Sequence, residues 1–104
     1  MLQEDDLREA RERLEEAFGE RLSHVILYGS EARGDAGPDS DVDMLVVLEE
    51  PVAYAEDLRR AIHALYPMTL RLERPVQPHI VTTREYSTQD CALFRNVHRQ
   101  GVRL

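Results

Sequence analysis

Apolar residues recur every three or four positions in three stretches of the chain, which is the spacing of amphipathic helices. The first stretch predicts a helix over residues 6 to 18 that begins with a capping box of Asp6 and Glu9. The second predicts a helix that has Pro51 in its first turn and ends near residues 66 and 67. The third predicts a helix over about residues 88 to 100, which Gly101 ends. The expected core positions of the first two helices are Leu7, Ala10, Leu14, Ala17, Phe18, Val52, Ala55, Leu58, Ile62 and Leu65.

Two apolar runs between the first two helices predict strands. The first covers residues 24 to 28 and stops abruptly at Gly29, as a buried strand does when it enters a turn. A loop follows, with a single helical turn expected over residues 30 to 33. The second strand covers residues 42 to 48 and is apolar on both faces, which suits a central strand covered by helices.

The stretch from residue 69 to residue 82 is predicted to be extended. Pro75 and Pro78 remove two backbone hydrogen-bond donors from it, so it is expected to be an edge strand or a broken strand. The resulting order of elements, α-β-β-α-β-α, predicts an α/β or α+β fold in which helices pack over a mixed sheet. A chain of 104 residues suffices for one such domain, which is expected to span residues 1 to 104.

Composition narrows the classes of function that this domain can serve. Hydrophobic residues make up 42% of the chain, and no segment approaches the roughly 20 apolar residues of a membrane span, so a soluble protein is expected. The N-terminus lacks the basic start and apolar run of a signal peptide, which indicates a cytoplasmic protein. A net charge of −7 disfavours binding to long nucleic acid. All 13 basic residues are arginine, which excludes lysine-dependent phosphate loops and Schiff-base chemistry.

Three features that favour phosphate and metal binding coincide between residues 28 and 45. Gly29 and Ser30 lie where a strand gives way to a turn, which leaves backbone N–H groups and a hydroxyl free for phosphate oxygens. Asp41 and Asp43 are separated by one residue at the start of a strand, so both carboxylates are expected on one face of the sheet. Mg²⁺ is commonly held by one or two carboxylates together with phosphate oxygens and waters. The sequence therefore predicts a site for a metal–nucleoside triphosphate.

Two other motifs fit some of the same letters and fail at required positions. The glycine spacing after the first strand is that of a P-loop, but Asp35 and Ala36 follow where a lysine and a serine or threonine are required. The acidic residues from Asp39 to Glu50 have the spacing of a calcium-binding EF-hand loop, but Met44 stands where that loop requires glycine. Neither motif is retained.

The combination of Gly-Ser, then Ala-Arg-Gly, then Ser-Asp-x-Asp resembles the signature of the minimal nucleotidyltransferases in the DNA polymerase beta superfamily. The matching residues are Gly29, Ser30, Ala32, Arg33, Gly34, Ser40, Asp41 and Asp43. The motif covers residues 28 to 48, and a fainter similarity extends over residues 94 to 104. The resemblance implies a palm-like sheet with helices on one side. It also implies transfer of a nucleoside monophosphate from a triphosphate, expected to be ATP, to a hydroxyl group.

The resemblance further implies roles for single residues. It assigns Gly29 and Ser30 to the β- and γ-phosphates and the two aspartates to Mg²⁺ or Mn²⁺. Arg33 and Ser40 are included among the nucleotide-binding residues. For Arg33, an ion pair with an acidic residue of its own loop is an equal alternative, and Ser40 is expected to be a hydrogen-bonding residue between loop and strand rather than a nucleophile.

The family's third carboxylate has no counterpart in the extended segment from residue 76 to residue 81, which contains no acidic residue. Gln77 and His79 point to the same face by strand periodicity. Gln77 fits the family's strand register better and is expected in the vacant position, whereas His79 is not expected to be a ligand. The missing acid is expected to limit catalysis more than nucleotide binding, because it mainly supports the ion that activates the acceptor.

Three hypotheses of function follow from this pattern. The leading one is an active nucleotidyltransferase, and the alternative is a nucleotide-binding regulatory or antitoxin subunit with little or no turnover. A degenerate scaffold kept for protein contacts is disfavoured by the intact Gly-Ser and Asp-x-Asp set. The resemblance also implies a partner, a separately encoded helical protein of the HEPN type, which in some cases is modified.

Overall fold

The computed structural model describes residues 2 to 88 and 101 to 104, where helices and strands alternate along the chain. In chain order, the elements are α1 (Glu4–Phe18), a 3-10 turn (Gly19–Arg21), β1 (Leu22–Tyr28), α2 (Ser30–Arg33), β2 (Val42–Leu48), α3 (Tyr54–Leu72), β3 (Val76–Thr82), α4 (Thr83–Thr88) and β4 (Val102–Arg103). The helix expected over residues 88 to 100 falls almost wholly outside the described residues. None of the helices in the described ranges is both long and apolar enough to cross a membrane.

The strands form one mixed sheet in the order β3-β2-β1-β4. Strand β1 is antiparallel to both β2 and β4, whereas β2 and β3 are parallel and are joined by α3. Tyr28 lies opposite Asp43 in the first of these pairings, and Asp43 lies beside Gln77 in the parallel one. The predicted mixed sheet is confirmed. β3 is an edge strand, as its two prolines predicted.

Helices α1 and α3 cover one face of the sheet, and the main core lies between them and the strands. This core draws fully buried side chains from α1, β1, β2 and α3, among them Leu14, Val25, Met44, Leu65 and Met68. A smaller cluster on the opposite face contains Ile26, Leu45, Val47 and Val81, with Tyr28 and Tyr86 packed against it. Strand β2 contributes to both clusters, which confirms the prediction of a central strand.

Helix α1 begins earlier than predicted, at Glu4. The capping residue is Gln3, and Asp6 is the third residue of the helix. The Asp6 carboxylate accepts a hydrogen bond from the Gln3 N–H at 2.9 Å, which completes a capping box of Gln3 and Asp6. The predicted capping box of Asp6 and Glu9 is therefore wrong. Glu9 instead accepts a hydrogen bond from Arg71 of α3, which links the two helices. The apolar face was predicted correctly, because the strong spacing of its residues does not depend on where the helix starts.

Helix α3 departs from the prediction at both ends. It begins at Tyr54 instead of having Pro51 in its first turn, and it runs through Pro67 to Leu72. A proline inside a helix removes one backbone hydrogen bond. Met68, the next residue, is fully buried in the core. The free energy gained from this burial offsets the lost hydrogen bond, and the helix continues to Leu72. The last turn of α3, which was predicted to be extended, is therefore helical.

The face of α3 that points to the core also differs from the prediction. Ala55 and Ile62 were expected inside, but both are exposed, Ile62 by 48%. The buried residues of this helix are Asp57, Ala61, Leu65 and Met68. Three of these residues are apolar and follow the i, i+4, i+7 spacing, but the fourth is a carboxylate, which a pattern of apolar residues does not include.

Asp57 is buried because an arginine from another element meets it. Its carboxylate accepts hydrogen bonds from the two terminal nitrogens of Arg21, at 3.1 and 2.7 Å, and from the Ala53 N–H at 3.1 Å. Arg21 also donates to the carbonyl oxygen of Pro51 at 3.1 Å. The hydrogen bonds from Arg21 lower the pKa of Asp57, although burial opposes this effect. The pair fixes the start of α3 to the chain that enters β1.

We expect Asp57→Asn to lower the free energy of unfolding at neutral pH by about 1 to 3 kcal/mol, because Arg21 loses its charged acceptor. Since the pKa of Asp57 is lowered by folding, its contribution is fully present above about pH 4 and is lost as the pH falls through the folded-state pKa. The difference between wild type and variant should therefore narrow in acid. Urea unfolding followed by circular dichroism over a series of pH values measures this difference.

The control is Asp5→Asn, which removes an exposed carboxylate that lies 3.3 Å from Arg8. An exposed ion pair and a carboxylate in the first turn of a helix each contribute at most about 1 kcal/mol, so this variant should lose less stability at neutral pH than Asp57→Asn. A deficit of Asp57→Asn that stays constant from neutral pH into acid would contradict the proposed role of the charge.

Candidate active site

Strand β1 is followed by a glycine, Gly29, whose backbone lies against a carboxylate of β2. Gly29 has a φ of 75° and a ψ of −153°, a conformation that residues with side chains rarely adopt. A Cβ atom at this position would lie 2.9 Å from Oδ2 of Asp43, closer than side-chain contacts allow. The conformation therefore favours glycine here, and a larger residue would also displace the carboxylate of Asp43.

One turn of helix follows this glycine, and Ser30 is its first residue. The Arg33 N–H donates to the Gly29 carbonyl oxygen at 3.1 Å, and the Asp35 N–H donates to the Ser30 carbonyl oxygen at 3.1 Å. Gly34 ends the turn in the left-handed conformation with a φ of 81°. The single helical turn predicted from the sequence is confirmed. Ser30 is half-buried and directly follows Gly29.

Asp41 and Asp43 lie at the start of β2, where side chains of β3 reach both of them. The side-chain nitrogen of Gln77 donates to Oδ2 of Asp41 at 3.1 Å. Nε2 of His79 lies 3.6 Å from Oδ1 of Asp43. With Gly29 against the other oxygen of Asp43, the fold brings together four of the predicted site residues and the histidine that was not expected to take part.

The other two predicted nucleotide-binding residues have partners within their own loop. Nε of Arg33 lies 3.4 Å from Oδ2 of Asp35, which is one of the two alternatives that the sequence left open. The Ser40 hydroxyl accepts a hydrogen bond from the Gly37 N–H at 2.9 Å, so its bond lies within the loop, whereas a bond between loop and strand was expected. The arginine is exposed, so its ion pair is of the weak surface kind.

Tyr28 joins the site from β1, and sequence reasoning did not single it out. Its ring centroid lies 5.8 Å from that of His79. Burial, and after it the negative charge of Asp43, raises the pKa of Tyr28 to about 12, so the phenol keeps its proton at neutral pH. Its place directly before Gly29 is visible in the sequence, but its position opposite Asp43 depends on the register of β1 and β2.

A buried ion pair behind the site was also missed. Arg74 donates through Nη2 to Oε1 of Glu31 at 2.6 Å and through Nε to the carbonyl oxygen of Ser40 at 2.9 Å. The second oxygen of Glu31 accepts a hydrogen bond from the Leu2 N–H at 2.8 Å. Burial alone would raise the pKa of Glu31, but these hydrogen bonds and the charge of Arg74 hold it below its ordinary value. No periodic pattern connects two charged residues that are so distant along the chain.

The donor groups of the site fit a metal ion that arrives with phosphates. Among the described residues, no cluster of three or more His, Cys, Asp or Glu side chains is placed to hold a metal ion. Asp41 and Asp43 supply two carboxylates, which is what Mg²⁺ commonly takes from a protein when phosphate oxygens and waters complete its shell. Two neighbouring negative charges also repel each other, and a bound cation relieves this repulsion.

Comparison with known proteins gives a consistent result. The family model of the nucleotidyltransferase domain matches residues 7 to 96. Two curated proteins of Methanocaldococcus jannaschii, each named "putative protein adenylyltransferase", are similar in sequence. One is 36% identical over 58 residues, which cover 56% of this chain and 58% of the relative. The other is 39% identical over 44 residues, which cover 42% of this chain and 44% of the relative, so the match spans about half the length of these relatives.

Solved structures share the fold. A crystal structure of a mutant of the toxin–antitoxin MntA-HpeT matches 100% of this chain and 72% of its own, with a TM-score of 0.62 and 21% identity. A crystal structure of a toxin–antitoxin with AMP-PNP matches 98% of this chain and 72% of its own, with a TM-score of 0.60 and 21% identity. Because the family model spans most of the chain and includes every residue gathered around Asp43, this protein belongs to the nucleotidyltransferase domain family.

Proposed function

We propose that this chain binds a metal–nucleoside triphosphate, ATP, and transfers the nucleoside monophosphate to a hydroxyl acceptor, with release of pyrophosphate and of the hydroxyl proton. The observation that carries the proposal is the packing of Gly29 against Asp43, beside Asp41 and Gln77, in a chain of the nucleotidyltransferase family. The names of the two archaeal relatives, which describe adenylyl transfer to protein, support ATP as the nucleotide and a protein hydroxyl as the acceptor.

In the proposed reaction, each group of the site has one task. Asp41 and Asp43 hold Mg²⁺ or Mn²⁺, and Ser30 and the backbone after Gly29 bind the β- and γ-phosphates. Of the ions that these aspartates would hold, one would neutralise charge at the phosphates and the other would help the acceptor hydroxyl to lose its proton. Arg33 exchanges its weak surface ion pair for a phosphate oxygen, with which an arginine makes a stronger, charge-assisted hydrogen bond.

In the same proposal, Gln77 occupies the position of the third carboxylate. Its amide donates a hydrogen bond to Asp41 and adds no negative charge to the site. The ion that activates the acceptor would therefore be held less firmly than the ion that accompanies the triphosphate. Tight nucleotide binding with slow transfer is the expected result. The same amide favours the second candidate function, a nucleotide-binding regulatory or antitoxin subunit with little or no turnover.

The proposal includes a partner protein, a separately encoded helical protein of the HEPN type. The similar solved structures are named as toxin–antitoxin proteins, and one of them carries AMP-PNP. At 21% identity these likenesses carry the fold alone, so the partner is inferred from the family resemblance. A cytoplasmic location is part of the proposal, because the substrate is an intracellular nucleotide.

The first test removes one metal-binding charge. We expect Asp43→Asn to weaken the binding of AMP-PNP in the presence of Mg²⁺ by about tenfold or more, because the carboxylate that would hold the ion becomes neutral. Calorimetric titration with Mg²⁺ and with a chelator separates the metal-dependent part of the affinity. The matched control is Asp39→Asn, which removes an exposed carboxylate from the loop before β2 and should bind like the wild type. Equal affinity of the wild type with metal and with chelator would refute the proposal.

The second test restores the third acid. We expect Gln77→Asp to accelerate transfer from ATP labelled at the α-phosphate by on the order of a hundredfold, because the new carboxylate supports activation of the acceptor. Its affinity for AMP-PNP should stay within about threefold of the wild type. Gln77→Asn is the control, since it shortens the side chain equally without adding charge. Brisk transfer by the wild type that Gln77→Asp leaves unchanged would show that another acid already fills this role.

The third test concerns the partner. We expect the chain, purified from its source cells, to carry a helical partner protein, and we expect label from the α-phosphate of ATP to appear on that partner. The control is the same preparation with Asp43→Asn, which should retain the partner and lose the label. Recovery of the isolated chain alone would count against a partner, and label that is independent of Asp43 would place the transfer activity in another protein.

A further inference from the structure

An arginine of the segment before β3 connects the two parts of the chain that carry the proposed site. Arg74 donates to Glu31 of α2 at 2.6 Å and to the carbonyl oxygen of Ser40 at 2.9 Å. Glu31 follows Ser30 directly, and Ser40 precedes Asp41 directly. One guanidinium therefore connects the helical turn that follows Gly29 to the residue that precedes Asp41.

The surroundings of this arginine leave it little freedom. The Arg74 side chain is 8% exposed and that of Glu31 is 2% exposed, so water cannot replace either partner. A buried ion that loses one partner is strongly destabilised, which holds both side chains in this one arrangement. The residue after Arg74 adds a further link, since the Pro75 carbonyl oxygen accepts a hydrogen bond from the Val42 N–H at 2.8 Å.

We propose that Arg74 and Glu31 are positioning residues, which fix the distance between the Gly29-Ser30 loop and the aspartate pair. This inference rests on the proposed function of that site. A triphosphate that contacts the loop and a metal ion that contacts the aspartates must fit the same gap, and a shift of about 1 Å in such a site can reduce activity a hundredfold. Arg74 acts through the backbone of Ser40 and the helical turn of Glu31.

The protein contains a matched ion pair at the opposite end of α3. Arg21 also joins a buried carboxylate, that of Asp57, to a backbone carbonyl oxygen, that of Pro51. The two arginines thus make the same kind of connection, but the pair of Arg21 lies where β1 begins and β2 ends, away from the site. Substitutions of Arg21 therefore show what the loss of a buried arginine–carboxylate pair does when that pair lies away from the site.

The experiment compares Arg74→Lys with Arg21→Lys. A lysine keeps the charge but has no planar fork to reach two acceptors, so each variant should lose one of its two connections. We expect Arg74→Lys to weaken the binding of Mg²⁺ with AMP-PNP by about 10- to 100-fold, as for other residues that orient metal ligands. Arg21→Lys should bind within about twofold of the wild type, although urea unfolding shows a comparable loss of stability. Equal affinities of the two variants would overturn the inference.

A second variant separates positioning from folding. Glu31→Gln combined with Arg74→Met removes both buried charges, which is often tolerated in a folded protein, and glutamine keeps an acceptor for the Leu2 N–H. This variant should fold, yet it lacks the connection to Ser40 and should show the same weak binding as Arg74→Lys. Wild-type affinity in a folded double variant would refute the role of the pair.

Hydrogen exchange without nucleotide gives a readout that does not depend on the proposed function. The amides of Arg33, Asp35 and Val42 make the hydrogen bonds that shape the loop and the start of β2. These three amides should exchange faster in Arg74→Lys, while amides in the middle of β2 keep the rate of the wild type. In Arg21→Lys, the three amides should exchange at the rate of the wild type. If the wild type fails to bind Mg²⁺ with AMP-PNP, the proposed function fails, and the exchange rates still decide whether Arg74 holds these segments.

Discussion

The burial of β2 along both faces is the constraint on which the site depends. Every side chain from Met44 to Leu48 is buried between the two apolar clusters. An unpaired charge among them would be costly, so the carboxylates are confined to Asp41 and Asp43, where the strand enters the sheet. Because β3 runs parallel to β2, it begins at the same end of the sheet and places Gln77 there. Strand β1 is antiparallel to β2, so it finishes at this end of the sheet and leads into Gly29.

The charges around this end of the sheet explain why a cation matters to the proposed function. The chain has a net charge of −7, and the two neighbouring carboxylates add negative potential where a triphosphate would bind. The nearby arginines of the described segments are engaged, Arg74 with a buried carboxylate and Arg33 with Asp35. A triphosphate brought without a metal ion would meet repulsion. A divalent ion between phosphates and aspartates removes that repulsion.

The parts of the fold and the site that could be predicted are those encoded by neighbours in the sequence. The Gly-Ser turn, the aspartate pair and strand β2 lie within one short stretch. Gln77, which the family's strand register favoured for the third-acid position, lies beside Asp43 in the sheet. The missed features depend on contacts between distant residues. The burial of Asp57 on the core face of α3 follows from its pairing with Arg21, and the connection of Glu31 to Arg74 joins α2 to the segment before β3. Buried charges of this kind are invisible to a pattern of apolar positions.

The connection made by Arg74 also determines how a change at Gln77 can be interpreted. Helix α3 joins the parallel strands β2 and β3, and Arg74 lies where the chain leaves this helix and enters β3, next to the site. Arg21 anchors the first end through Asp57, and Arg74 anchors the segment after the last end through Glu31. Lysine could not replace either arginine, because each guanidinium reaches a carboxylate and a carbonyl oxygen together. With the backbone of β3 fixed in this way, Gln77→Asp changes the charge beside Asp41 without moving the strand, and a gain in transfer would report the chemistry of the third acid alone.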